Sequence, residues 1–352
     1  MILGPIKCID FFNEEECMKN FELAISSIEN GDLDRLQHII SQDPQVISQK
    51  NINGQSLLIY SCLAATQDGA IPAKRGTDEQ FTAVKLLLDA EANPSEADAS
   101  GKSSLHVAAI SDHFELAKLL IDAGASLEGR LMGAKGGSPL SLAMFYAKSQ
   151  MSQFLANPPI PYNLRSASAL GHDSDIFFDQ GNLKSEAAYQ VDFYRPTDQF
   201  PEWKRTNSRQ ELLDEALSWS ARNEQLGSMS QLVEYGANVN SNPYQGTPLL
   251  WSIYSNKVNS AKMLIEYGAD PNQKHNFGGS EHGQGATAMH LAAQYGSIEC
   301  LKLLLEEGAN PYIKDDLYDS TPMGWARHEG MESSINLFAE IGVIEKNQGT
   351  NF

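Results

Sequence analysis

The feature that most constrains this chain is a Ser/Thr-led apolar motif that returns about every 33 residues. Its best-formed copy is Gly285–Pro311, GATAMHLAAQYGSIECLKLLLEEGANP. Thr287 is placed to cap a first short helix by accepting from an unpaired backbone N–H. Met289, Ala292 and Ala293 give that helix one apolar face, and Gly296 allows a turn. Ile298, Leu301, Leu304 and Leu305 then recur at helical spacing. Gly308 stands where a left-handed cap ends the second helix. Two helices of this length cannot bury their own stripes, so the unit requires similar neighbours.

The chain supplies them. Thr321 lies 34 residues after Thr287, in S-T-P-M-G-W-A, and Thr247 lies 40 before it, in G-T-P-L-L-W-S. Ser138 opens S-P-L-S-L-A, Ser103 opens S-S-L-H-V-A-A, and Ser56 opens S-L-L-I-Y. The interval from Ser56 to Ser103 is 47 residues, and it returns to 33 once the polar insert Gln67–Gln80 is removed. Two weaker units fall between Ser138 and Thr247: one around Ser166–Gly171 with Ile176–Phe178, the other starting at Glu215-Ala-Leu-Ser-Trp-Ser-Ala221. Phe21–Gln42, with Gly31 at its turn, is a further unit. Residues 1–19 read as an N-terminal extension, 20–184 as repeats interrupted at 67–80, and 185–210 as an aromatic insert loop. Residues 211–342 read as further repeats and 343–352 as a tail.

The pattern resembles ankyrin repeats. Ser103-Ser-Leu-His106, Thr247-Pro248-Leu, Thr287-Ala-Met-His290 and Thr321-Pro322-Met carry that family's first-helix motif, and Gly124-Ala, Gly236-Ala-Asn, Gly268-Ala-Asp and Gly308-Ala-Asn its second-helix ending. The chain looks most like bacterial ankyrin-repeat proteins. The resemblance implies an all-α solenoid of about nine helix-turn-helix units with expanded finger loops. It implies that His106 and His290 tie neighbouring turns by hydrogen bonds. It also implies a non-enzymatic scaffold that binds a protein partner through its concave face and finger loops. Delivery into a host cell as an effector, or an enzyme hidden in the irregular centre, are the alternatives.

Composition narrows the partner. Lys plus Arg number 26 against 45 for Asp plus Glu, a net charge of −19. That field repels phosphate backbones and anionic membranes and suits a partner with a basic surface, although solubility alone accounts for it. No membrane span is expected, because no window approaches the ~18 apolar residues needed. Lys7, Asp10 and Glu14–Glu16 spoil the N-terminus as a signal peptide. Cys8, Cys17, Cys62 and Cys300 are scattered, which favours free thiols in a reducing cytoplasm. A monomer is expected.

Four unit-to-unit connections are expanded: Gly129–Gly137, Asn157–Tyr162, Ser185–Gln210 and Gln273–Gly285. The third carries Tyr189, Phe193, Tyr194, Arg195, Phe200 and Trp203 in an otherwise acidic chain. Aromatics and Arg anchor interfaces, but such a loop also serves if it folds back and fills the groove beside the short Ser166 unit. Trp219, Trp251, Tyr254 and Tyr295 are further surface candidates. Trp251 and Trp325 follow their motifs by the same interval, which equally fits packing between units.

Catalytic and metal chemistry find little support. His275, Glu281 and His282 share one Gly-rich loop, but flexible glycines do not preorganise ligands. Phosphate-cradle and nucleophile-elbow patterns are absent. No catalytic residue, metal or cofactor is expected.

Overall fold

The structure is a computed structural model that describes residues 11–66, 78–128, 137–156, 163–188, 206–277 and 283–343. Helices come in antiparallel-type pairs along the chain. They are α1 (Phe11–Asn30) with α2 (Leu33–Gln42), α3 (Leu57–Ala65) with α4 (Asp78–Asp89), and α5 (Ser104–Ser111) with α6 (Phe114–Asp122). Next come α7 (Pro139–Phe145) with α8 (Ser149–Leu155), and α9 (Leu164–Leu170), followed only by a 3-10 turn at Ser174–Phe177. The series ends with α10 (Arg209–Arg222) and α11 (Leu226–Glu234), α12 (Pro248–Tyr254) and α13 (Val258–Glu266), α14 (Ala288–Gln294) and α15 (Ile298–Glu306), and α16 (Pro322–His328) and α17 (Glu332–Glu340). The all-α solenoid expected from the repeat is the observed fold.

First helices α3, α5, α12, α14 and α16 start at their motif residues, Ser56, Ser103, Thr247, Thr287 and Thr321. Thr247 Oγ1 accepts from the Leu250 N–H and Thr321 Oγ1 from the Gly324 N–H, both at 3.2 Å. Pro248 and Pro322 occupy the first helical position, where a missing N–H costs nothing. Where histidine stands third in the helix, it adds a second bond. The Thr287 N–H donates to His290 Nδ1 at 3.0 Å, and His290 Nε2 lies 3.1 Å from the Ser320 carbonyl of the next unit. His106 does the same between the Ser103 N–H and the Gly137 carbonyl, at 3.1 and 3.2 Å. With Nδ1 accepting, the ring proton sits on Nε2.

The turn between paired helices needs one residue in the left-handed region. Gly31, Gly171, Gly296 and Gly330 supply it, and so do Asp112, Ala147, Glu224 and Asn256. The non-glycines accept a strained backbone there because helices on both sides fix it.

Two compact units divide the chain, Met1–Leu142 and Ala143–Phe352. In the first, α3 packs against α1, α4 and α5, burying Phe21, Ile28, Leu57, Leu58, Val84 and Leu105. Each such aliphatic side chain contributes about 1.5–3 kcal/mol when fully buried. In the second, α10 packs against α9, α11 and α12, and α12, α14 and α16 continue the row. Unit ends in this part are laced by side chains. Asn240 Oδ1 accepts from the Asp270 N–H and Asn272 Oδ1 from the Asn310 N–H, each at 2.7 Å. Where the shortened unit lacks the equivalent asparagine, Asp214 of α10 accepts from the Asn238 N–H instead. Burial raises the Asp214 carboxyl pKa, against the opposing hydrogen bonds from Asn238, Gln210 and Ser241.

Several details depart from the sequence reading. Helix α4 begins at Asp78, so the last three residues of the expected 67–80 insert are helical and Gln80 is buried. Asp78 and Glu79 favour that start, being acidic in the first turn. Helix α1 begins at Phe11, inside the stretch read as an extension. Helix α10 begins at Arg209, capped by Ser208, and so runs into the end of the expected aromatic loop. The Gly-rich connection 273–285 contains an antiparallel ribbon, β3 (His275–Phe277) with β4 (Gly283–Ala286), once β1 (Phe178–Asp179) and β2 (Asn182–Leu183) have formed a smaller one.

The smaller ribbon lies where a second helix is missing. Phe178 stacks on Tyr235 at 3.6 Å, nearly parallel, and the Tyr235 hydroxyl donates to Asp175.

Candidate protein-binding site

Helix α10 is built unlike the other first helices. Glu215 stands where its neighbours have Ser or Thr, and Ser218, Trp219 and Arg222 follow on the same face at helical spacing. All four are buried. A charged stripe facing inward is costly unless each charge finds partners.

Arg165, on α9, meets the first of them: its Nη1 donates to Glu215 Oε1 at 3.1 Å, with both side chains almost fully buried. The Arg165 guanidinium also lies over the Trp219 ring, 4.7 Å from its centroid. Arg222, 2% exposed, lies over three rings: Trp251 at 3.7 Å, Phe145 at 4.3 Å and Trp219 at 4.9 Å. Its Nη1 donates to the Phe145 carbonyl at 3.3 Å, and its Nε finds no acceptor among the described residues. Burial pulls the Arg222 pKa down to about 9; Tyr254 and Tyr146 oppose the fall, and Arg165 adds to it. At neutral pH the group stays charged.

Around Arg222 the rings interlock. Phe145 meets Trp251 at 5.6 Å and Trp219 at 6.2 Å, both edge to face, and the Trp251 indole N–H donates to the Tyr244 carbonyl at 3.3 Å. From Trp251 the row continues outward. Tyr254 lies edge-on to Trp251 and to Tyr295, each at 5.6 Å. Tyr295 is 47% exposed. A recess opens against Phe145, Ser218, Trp219, Arg222, Tyr244 and Trp251, so the buried end of the aromatic row borders open space. The Ser218 hydroxyl, in a residue only 4% exposed, has no hydrogen-bond partner among the described residues.

The sequence candidates fall differently. Trp219 and Trp251 do not project from the surface: they are 4% and 2% exposed, and they wall the recess. Trp325 is likewise buried, its Nε1–H donating to Asp315 Oδ2 at 3.0 Å, so packing between units is its role. Tyr254 is half-buried and Tyr295 exposed. Tyr189, Phe193, Tyr194, Arg195, Phe200 and Trp203 lie outside the described residues. So do Glu281 and His282, while His275 is buried in β3 with Nδ1 unpartnered. Among the described residues no group of three or more His, Cys, Asp or Glu is placed to hold a metal. Cys62 and Cys300 are free and buried, their thiol pKa values pushed up to about 12 chiefly by burial. No helix among the described residues is long and apolar enough to cross a membrane. Sequence reasoning missed Arg165, Glu215 and Arg222; the available signal was a carboxylate standing at a Ser/Thr motif position.

Family comparison gives this geometry its setting. A model of three ankyrin repeats matches residues 23–130, 73–166 and 199–275, and a single-repeat model matches 284–316. The chain belongs to the ankyrin-repeat family. Ankyrin repeats are protein-interaction modules. Among individual proteins, glycerophosphocholine phosphodiesterase gde1 of Schizosaccharomyces pombe is 38% identical over 56 residues, 16% of this chain. That stretch is 5% of the phosphodiesterase, so this ankyrin chain spans only a small part of that relative.

Proposed function

We propose that this ankyrin-repeat chain is a non-enzymatic binding module for a protein partner. Contact is made by the first-helix ends of residues 143–352 together with the aromatic connection 185–210. The observation that carries the reading is the row Trp251–Tyr254–Tyr295, which leads from a buried, interlocked centre to a half-exposed tyrosine. Rigid aromatics with one end held in the core lose little entropy on binding, which is why such residues dominate interface energetics. The sequence candidates Tyr189, Phe193, Tyr194, Arg195, Phe200 and Trp203, in the connection 185–210, carry the same residue chemistry. The net charge of −19 favours a partner whose rim is basic and disfavours nucleic acid. The similarity to a phosphodiesterase lends no catalytic role, because it covers 5% of that protein.

Co-purification from native cells tests this. A partner retained by the wild-type chain should be lost from the Tyr254→Ala/Tyr295→Ala double variant, and from a variant with alanine at the six aromatic-loop positions. Helical circular dichroism should stay unchanged in both. Retention of the same partner by both variants would remove these residues from the interface.

A further inference from the structure

Arg222 and Arg165 are both buried on one layer of the fold, yet their charges are balanced differently. Arg165 has the Glu215 carboxylate at 3.1 Å. Arg222 has three aromatic rings and one backbone carbonyl, and among the described residues no carboxylate pairs with it. Among the described residues its Nε–H lacks an acceptor, and the Ser218 hydroxyl, on the same face of α10 and the same recess, lacks a partner too. Buried charges and buried donors are ordinarily satisfied. Two unfilled donors beside an unpaired cation describe a site for an anionic acceptor.

We propose that the recess receives the carboxylate of an Asp or Glu side chain presented by the protein partner, seated between the Arg222 guanidinium and the Ser218 hydroxyl. The proposal rests on the protein-binding reading above and specifies its chemistry. An aromatic cage without its own charge attracts cations; this cage already holds one, so a second cation is repelled and an anion is drawn in. The aromatic walls exclude water, which strengthens a charge-assisted hydrogen bond made inside. Size points to the tip of a side chain: the cavity volume is about 10 Å3, room for roughly one water-sized group, so one carboxylate oxygen enters and a free small molecule, whose sites run to roughly 300–1,000 Å3, does not. The chain's field discriminates further, since a net charge of −19 repels a free anion. A carboxylate carried on a basic partner surface reaches the recess with that repulsion offset.

The indole N–H resonances of Trp219 and Trp251 in the isotope-labelled full chain report on the recess directly. The probes are a capped Lys-Ala-Glu-Ala-Lys peptide, its glutamine counterpart, and sodium acetate. The expected result is a saturable shift with the glutamate peptide and binding weaker by about tenfold with glutamine, the scale of one charge-assisted hydrogen bond. Ser218→Ala should weaken the glutamate peptide several-fold, and Arg222→Met should abolish its preference over glutamine. Ser218→Ala removes only a hydroxyl with no partner, so it keeps the test decisive if Arg222→Met does not fold. Equal binding of both peptides, absence of any shift, or indifference to Ser218→Ala would overturn the proposal. Acetate saturating at the same concentration as the peptide would also overturn it, in favour of a free-anion site. Partner capture that persists in Ser218→Ala at full strength removes the carboxylate contact and leaves the protein-binding reading standing; capture lost only through Tyr254 and Tyr295 does the same.

Discussion

Arg165 and Glu215 form a buried ion pair, Nη1 to Oε1 at 3.1 Å, joining α9 to α10 where the repeat is least regular. Glu215 stands at the motif position but inside α10, whose cap is Ser208. The helix starts earlier, at Arg209, so the motif position lies in its interior.

Breaking that pair should be costly. Glu215→Gln leaves the guanidinium without its carboxylate in a desolvated site, and a loss of about 3–5 kcal/mol is expected. Urea denaturation measures it. The double variant Arg165→Met/Glu215→Leu should lose much less, because it removes both charges together. A Glu215→Gln midpoint equal to wild type would show that the pair contributes nothing.

Acid should destabilise the fold through two histidines. Burial lowers the His290 pKa to about 4, with the Ser320 carbonyl and Asp315 opposing, and burial likewise lowers His275 to about 4, with Asp270 opposing. The ordinary value is 6.5. Below it the unfolded chain takes up protons that the native chain refuses, so stability is full above that pH and falls as pH drops toward 4. Each histidine accounts for up to about 3 kcal/mol over that window. In His290→Asn the pH slope of the urea midpoint should be shallower; an unchanged slope would refute the assignment to His290.

The buried Cys62 and Cys300 should be inert. With their thiol pKa values near 12 and both side chains buried, Cys62 and Cys300 carry almost no thiolate at neutral pH. Peptide mapping after native maleimide treatment should find both unmodified, and mapping after denaturation should find both labelled. Rapid native labelling of either would mean that its helix pair opens readily.

Gly285 should not tolerate a side chain. Its φ is +75°, and a Cβ there would collide with the backbone and carboxylate of Asp316. Gly285→Ala should cost about 1–3 kcal/mol in urea denaturation. Wild-type stability would show that the β3–β4 ribbon yields.

Much of this was legible in the sequence. Thr247, Thr287 and Thr321 begin helices α12, α14 and α16 because capping and apolar periodicity are local, and local chemistry can be read from one segment. The Asn240–Asp270 and Asn272–Asn310 lacing was not, since each bond joins residues about one repeat apart. The site was legible only in part. Tyr254 and Tyr295 stood out as aromatics at first-helix ends, but Trp219 and Trp251 look alike whether buried or exposed. Arg222 could be seen as functional only once three rings from α7, α10 and α12 converged on it. Convergence of that kind is a tertiary fact with no local signature.

The proposed protein partner sits on the aromatic row of residues 143–352. Photo-crosslinking tests it most directly, with benzoylphenylalanine placed at Tyr295 or, as a control, at Tyr312. Both tyrosines are exposed, at 47% and 54%, but only Tyr295 belongs to the row. A discrete partner adduct is expected from position 295 and none from 312. Adducts of equal yield at both, or at 312 alone, would contradict it.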